Sequence, residues 1–209
     1  MRSSTSSSSR LGLGGVIGPA AFVSAWVVGG ATKAGYSPVH DAISRLAAIG
    51  SSARPLMTAG FVTFGLAVPM ASLAFRRAID GPAWIAAAVT GVATLAVAAA
   101  PLDHSSAVDS LHAVFAGVGY ISLAAAPLFA ARPLARDGHR TLAALGVGAG
   151  AIAAVSLALT TTGLPTGLFQ RLGLTAGDVW LASAGIAIAA GHVRGPGGPK
   201  TDSRRSPLN

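Results

Sequence analysis

The sequence predicts an all-α, polytopic membrane protein with six transmembrane helices. Its 209 residues are 52% hydrophobic and only 11% charged, whereas a soluble domain carries about 25% charged residues. A helix needs roughly 20 mostly apolar residues to cross the hydrocarbon core of a bilayer. Six segments meet this requirement, at residues 11–31, 56–75, 82–101, 111–131, 141–162 and 175–193.

The basic residues predict how these spans are oriented. Eleven of the 15 Lys and Arg residues flank the side that carries both chain ends, and four flank the other side. Because basic residues concentrate in cytoplasmic loops, both termini are expected in the cytoplasm of a cell-membrane protein. Low-complexity composition predicts disordered cytoplasmic tails at residues 1–10 and 194–209, around a transmembrane domain at 11–193. An alternative is a cleaved signal peptide ending near Gly29-Gly30-Ala31, which would leave five spans.

Several function classes are excluded or disfavoured by composition. The chain has no cysteine, which excludes disulfides, thiolate nucleophiles and Cys-ligated zinc. Its net charge of +8 lies in short clusters between apolar runs, so no nucleic-acid binding is expected. The sequence contains no Walker loop, no G-x-S-x-G and no H-E-x-x-H. Two G-x-x-x-G pairs, Gly14/Gly18 and Gly146/Gly150, predict close helix packing in lipid.

The segment after the first span, GYSPVHDAISRLAAIG, predicts a short amphipathic helix at the outer surface. Ser37 followed by Pro38 is typical of an N-cap with proline at the first helical position, and Gly50 suits a C-terminal stop. Asp41 and Arg45 are spaced i, i+4, which predicts an exposed ion pair. The apolar stripe of this helix is Val39, Ile43, Leu46 and Ala47.

The segment between the third and fourth spans, PLDHSSAVDSLH, concentrates two aspartates and two histidines. Ser106 and Asp109 fit a capping box that opens the fourth span, so Asp109 is expected to cap that helix. His112 falls on the same helix face and is expected to point into the bundle. Helix capping does not require Asp103 or His104, so these two residues have no structural explanation in the sequence.

A divalent metal site is the alternative interpretation of the same residues. Histidine and carboxylate side chains are ligands of zinc and related ions, although the spacing D-H-x4-D-x2-H matches no strong ligand signature. A bound metal would generate hydroxide from water at neutral pH, and Asp109 or Asp41 would then be the candidate catalytic base. The candidate metal ligands are His104, His112, Asp103 and His40.

The last outward segment, GLPTGLFQRLGLTAGD, repeats the capping pattern. Thr175 and Asp178 fit T-x-x-D at the start of the sixth span. Arg171 is flanked by Phe169 and Leu172, so it is expected near the headgroup level, within ion-pair distance of an outward aspartate. The candidate partners are Asp41, Asp103, Asp109 and Asp178.

Three blocks, GYSPVHDAISRLAAIG, PLDHSSAVDSLH and GLFQRL, resemble the bacterial membrane family catalogued as domain of unknown function 998. Its members are six-helix proteins with G-Y-S-x-x-x-D-x-I-S-x-L after the first span, an Asp…His block before the fourth and G-[LF]-x-[QE]-R before the sixth. The resemblance covers residues 12–191 and implies the fold and the membrane location, but no activity. Where the family often has F-P-x-D, this chain has Ala100-Pro101-Leu102-Asp103, without the aromatic residue.

A looser similarity is to multi-pass hydrolases that include the alkaline ceramidases, which carry Ser, Asp and three His around a membrane zinc. The order and depth of the residues match poorly. By residue type alone, the counterparts here are Ser37 or Ser44, Asp103 or Asp109, and His40, His104 and His112.

The leading hypothesis is a non-enzymatic membrane protein that binds a lipid, a small amphiphile or a partner protein at an outward-facing polar mouth. No ionisable chain typical of an ion-coupled carrier is predicted inside a span. The alternatives are an outward-facing, metal-dependent hydrolase of lipid or envelope substrates, and a transporter of a hydrophobic compound. The residues expected to form the polar outer cluster are Ser37, Asp41, Asp103, His104, Asp109, His112, Arg171 and Asp178.

Overall fold

The computed structural model describes residues 10–195, which contain six long α-helices and no strand. Five helices are long and apolar enough to cross a membrane. The third has 17 residues and, at 1.5 Å per residue, reaches roughly 26 Å, slightly less than the hydrocarbon core. The helices are α1 (Gly14–Thr32), α2 (Arg54–Ala78), α3 (Ala83–Ala99), α4 (Ser106–Arg136), α5 (Arg140–Leu159) and α6 (Thr166–Ala189).

The all-α, multi-pass prediction is therefore confirmed for the described part of the chain. A helical turn beginning at Arg10 extends α1 into a 23-residue candidate span, and its backbone is helical through the glycines proposed as a cleavage site. The predicted tails lie almost entirely at residues 1–9 and 196–209, outside the described residues.

The six helices form a closed ring in chain order. Each helix packs against the next one, and α6 returns to pack against α1. Helix α6 also contacts α2 and α4, so it has neighbours on more sides than a simple ring would give it. Half of its apolar window is buried inside the protein, the largest share among the five long candidate spans. Because it is the most buried of the long candidate spans, we call α6 the central helix.

Glycines set the closest helix contacts, as the G-x-x-x-G pairs predict. A Cβ atom on Gly14 would lie 2.3 Å from the carbonyl oxygen of Ala67, at the α1–α2 contact. A Cβ atom on Gly146 would lie 2.9 Å from the carbonyl oxygen of Pro127, at the α4–α5 contact. Larger residues would force these helix pairs apart, because the obstacle is backbone.

One end of the bundle is covered by the segment that joins α1 to α2. We call residues 33–53 the strap, and the end that it covers the strap end. The strap contains a single 3-10 helix, Ile43–Leu46, so the predicted amphipathic helix starting at Ser37 is wrong. Ser37 and Asp41 instead close a turn, in which the Ser37 N–H donates to the Asp41 carboxylate at 2.7 Å.

Tertiary contacts explain why the strap is not a regular helix. Its backbone bonds to the bundle: the Leu168 N–H donates to the carbonyl oxygen of Val39 at 2.9 Å, and the Ile49 N–H donates to that of Leu102 at 2.9 Å. Ile43, Leu46 and Ala47 of the predicted apolar stripe are buried against the bundle, whereas Val39 is exposed. Local propensity is overridden by packing.

The capping boxes predicted for α4 and α6 are also wrong. The N-cap of α4 is Ser105, whose hydroxyl accepts a hydrogen bond from the Val108 N–H at 3.3 Å. Helix α6 begins at Thr166, so Thr175 lies inside it rather than at its start. Polar residues early in α6 resemble loop composition in the sequence, but two of them, Gln170 and Arg171, have hydrogen-bond partners in the strap and in the bundle.

We predict that Gly146→Val destabilises the protein by about 1–3 kcal/mol, because overpacking a close contact forces backbone shifts. Gly148→Val is the matched control, since a Cβ on Gly148 meets no atom within 4 Å. Thermal unfolding of the detergent-purified protein measures both. Equal loss of stability in the two variants would contradict the packing assigned to α4 and α5.

Candidate functional site: the strap, a lateral crevice and a buried carboxyl group

The strap is attached to the bundle by the side-chain amide of Gln170, which is 5% exposed. Its Oε1 accepts a hydrogen bond from the Ile43 N–H at 2.6 Å. Its Nε2 donates to the hydroxyl oxygen of Tyr120. Because a backbone N–H requires an oxygen acceptor, the two ends of the amide are assigned without ambiguity. One side chain therefore joins α6, α4 and the strap.

Arg171, the next residue, is enclosed by the strap and by aromatic rings. One guanidinium nitrogen donates to the carbonyl oxygens of Pro38 at 2.6 Å, Asp41 at 3.2 Å and Gly167 at 2.9 Å. The other terminal nitrogen donates to the hydroxyl of Tyr36. The guanidinium also lies over the rings of Trp26 and Tyr36, at 5.2 and 5.5 Å from their centroids. The expected ion pair with an aspartate is therefore wrong: within residues 10–195, no carboxylate pairs with this cation, and carbonyl oxygens and ring faces stabilise it instead.

The Tyr36 phenol takes part in the same contact. It donates to the carbonyl oxygens of Asp41 and Ala42. Burial raises the pKa of the Tyr36 phenol above its ordinary value of 10.0, against the opposing effect of the Arg171 guanidinium. The preference for the neutral phenol stabilises the fold fully below pH 10.0, and this stabilisation is lost as the pH rises toward the higher folded-state pKa.

A second set of contacts ties the strap to the α3–α4 loop. Arg45 pairs with the Asp103 carboxylate at 2.8 Å, with the two side chains 47% and 45% exposed. The Asp103 N–H donates to the Asp109 carboxylate at 3.0 Å, and Asp103 adopts a left-handed backbone with φ of 64°. Arg45 thus binds Asp103 rather than Asp41. Asp109 organises the preceding loop rather than capping α4.

The histidines of the strap end do not form a cluster. His112 is buried and faces into the bundle, as predicted, and its Nδ1 lies 2.7 Å from the Ala100 carbonyl oxygen. His40 and His104 are exposed. In the described part of the chain, no three His, Asp or Glu side chains are grouped as ligands of one metal ion. The metal-dependent hydrolase stays a prediction that this geometry does not support.

A crevice of about 740 Å³ lies between α4, α5 and the first turns of α6, beneath the strap. On α4, every fourth residue from His112 to Leu128 lines the crevice. These residues therefore lie on one face of the helix. Small side chains such as Ala116 and Ala154 leave this space, whereas α4 and α5 pack tightly further along, at Gly150. The polar groups that line it are Ser44, His112, Tyr120, Thr160, Thr161, Thr166 and Gln170.

A separate inner cavity of about 40 Å³ lies at the centre of the bundle. Asp178, in the middle of α6 and 3% exposed, lines it, and neither of its carboxylate oxygens has a hydrogen-bond partner. Asp178 is therefore not part of an outer cluster at a helix start, as the sequence predicted. The other lining residues that matter here are Phe22, Phe61, Phe64, Thr90, Thr94, Phe115, Tyr120 and Gln170.

The comparison with known families fits this architecture. Residues 16–187 match the family described as "Protein of unknown function (DUF998)". The chain belongs to that family. The match extends from α1 almost to the end of α6, so the strap, the crevice and the inner cavity all lie within the family region. No curated protein and no solved structure matches the chain.

Several residues of the site were missed in the sequence, among them Tyr36, Gln170, Tyr120 and Thr90. Gln170 lies in the block GLFQRL, which was interpreted as loop. A usable signal was the i, i+4, i+8 spacing of Gln170, Leu174 and Asp178, which puts one polar-edged stripe on a single helix face. Tyr120 and Thr90 lie inside apolar runs, where one or two uncharged polar residues give little indication of a site.

We predict that Arg171→Lys destabilises the protein by about 2–3 kcal/mol, because an ammonium group cannot reproduce the planar fork of donors or the stacking on two rings. Arg45→Lys is the matched control and should cost less than about 1 kcal/mol, since its ion pair is half exposed. Chemical denaturation of both variants in detergent compares them. A control variant as unstable as the Arg171 variant would refute the role given to Arg171.

Proposed function

We propose that this membrane protein binds an amphiphile with one hydrocarbon chain in the crevice, with the polar head beneath the strap. The observation that carries this proposal is the shape and chemistry of the crevice. It is an elongated, almost wholly apolar space of about 740 Å³, and its polar side chains lie mostly toward the strap end. Ligand pockets of this size with a few grouped polar residues are typical of small-molecule sites.

The length of the crevice suits an alkyl or acyl chain. His112 and Leu128 lie 16 residues apart on α4, a distance of roughly 24 Å along the helix. The outer surface beside it is apolar: Ile121 is 72% exposed, and Val118 and Val155 are also exposed. In a membrane such a surface contacts lipid chains, so a ligand enters sideways from the bilayer.

The polar end offers hydrogen bonds to a head group. Ser44, His112 and Gln170 line it. A carbonyl oxygen only accepts, so the bond from Nδ1 of His112 to Ala100 puts the proton of the neutral ring on Nδ1. Its Nε2 is then an acceptor without a protein partner, which suits a hydroxyl or amide N–H donor on the head group.

The proposed orientation puts this head-group site at the outer surface of the membrane. The supporting observation is the excess of basic residues on the side of the chain ends, which the positive-inside rule assigns to the cytoplasm. The strap and the α3–α4 loop then face outward.

Photo-crosslinking tests the proposal with a single-chain lipid that carries a diazirine in its tail. We expect labelling of α4 between residues 112 and 128 that saturates and is displaced by unlabelled lipid. Ala154→Phe fills the crevice and should reduce this labelling at least about tenfold. Ala151→Phe on the same helix is the control, because Ala151 is exposed and does not line the crevice.

Labelling that Ala154→Phe leaves unchanged would reject the crevice as the site. The same conclusion would follow if the label were spread evenly over other lipid-facing positions, such as Leu66 and Met70 on α2.

A further inference from the structure

We infer that the inner cavity is a second binding site, which takes a small ammonium group at Asp178. This site is separate from the crevice and does not depend on what the crevice binds. The shared chemistry is an –NH3⁺ or NH4⁺ group, supplied either by a free ammonium ion or by the head of a primary amine.

The first observation is the carboxyl group itself. Asp178 lies in the middle of α6, inside the bundle, and both oxygens are buried without a hydrogen bond. Burying a carboxylate without a partner costs several kcal/mol, and ionisable residues at this depth of a membrane bundle mark functional sites. No Lys, Arg or His side chain lines the inner cavity, so among the described residues the protein supplies no cation to it.

The second observation is the chemistry of the cavity wall. Thr90 donates its hydroxyl hydrogen to the Ala86 carbonyl oxygen, and Thr94 donates to that of Thr90, both at 2.9 Å. Their remaining lone pairs are acceptors, like the oxygens of Asp178. Two helices, α3 and α6, therefore supply oxygen acceptors to one space.

Aromatic rings complete the wall. Phe22 comes from α1, Phe61 and Phe64 from α2, and Phe115 and Tyr120 from α4. Ring faces attract cations, and ammonium ions in particular. An alkali ion would need oxygen ligands around its whole surface, whereas an ammonium group can donate to the oxygens and contact the rings with its remaining surface.

Size restricts the ligand. The cavity of about 40 Å³ holds a few water-sized groups, so it admits ammonium or a primary amine head but excludes a tetramethylammonium ion. Ser44, Ala116, Tyr120 and Gln170 line both the inner cavity and the crevice. These shared side chains stand between the two spaces, so the chain of a long-chain amine with its head at Asp178 would extend between them toward the crevice.

Thermal unfolding of the full chain in detergent tests this site at constant ionic strength. We expect the midpoint to rise in a saturable manner with ammonium or methylammonium chloride, and not with sodium or tetramethylammonium chloride. Asp178→Asn keeps the shape of the side chain and should weaken the apparent affinity for ammonium at least about tenfold. Asp137→Asn, at an exposed position near the other end of the bundle, is the control and should retain the response.

A second variant covers the case in which Asp178→Asn does not fold. Thr90→Val removes one acceptor at similar volume and should also weaken the ammonium response.

Adding a long-chain alkylamine distinguishes the two sources of the ammonium group. An affinity well above that of methylammonium identifies an amine head, and equal affinities identify the free ion. The crevice variant Ala154→Phe should leave the ammonium response unchanged, which separates this site from the proposed amphiphile site. An equal response to sodium, or an undiminished response in Asp178→Asn and Thr90→Val, would overturn the inference.

Discussion

The structure of the strap end depends on one buried amide. Gln170 accepts from the Ile43 backbone and donates to Tyr120, so a single side chain connects the central helix, α4 and the strap. A buried polar group that loses its partner costs about 1–3 kcal/mol, so the three elements keep their relative positions together. The strap-end boundaries of the crevice and of the inner cavity both depend on this arrangement, because Gln170 lines both spaces.

The polar residues of this family member divide into two groups with different energetics. Arg45 and Asp103 are half exposed and contribute little. Gln170 and Asp178 are buried on the central helix, so each must be satisfied by the protein or by a ligand, and Arg171 is enclosed by the strap and two aromatic rings. Gln170 and Arg171 are largely satisfied by backbone and side-chain groups, whereas Asp178 is not. This difference is why the carboxyl group, rather than the arginine, indicates a ligand.

The fold was predictable from the sequence because it depends on long apolar runs and small residues, and both are visible locally. The start of α6 was not, because Gln170 and Arg171 look like loop residues until their partners in the strap and in α4 are known. The structure of the strap was predicted wrongly for the same reason. Ser37 and Pro38 favour a helix, but backbone groups of the strap form hydrogen bonds with Leu168 and Gln170 instead. His112 was placed correctly by helix periodicity, while its bond to Ala100 depends on a long-range approach.

Hydrogen–deuterium exchange of the strap in Gln170→Met tests the central claim most directly. If the amide holds the strap to the bundle, the segment containing the Ile43 N–H should exchange roughly tenfold faster than in the unmodified protein, corresponding to about 1.4 kcal/mol. Leu172→Ala, at an exposed position on the same helix, should leave that exchange unchanged. Protection of the Ile43 segment that is the same in Gln170→Met and in the unmodified protein would contradict the account.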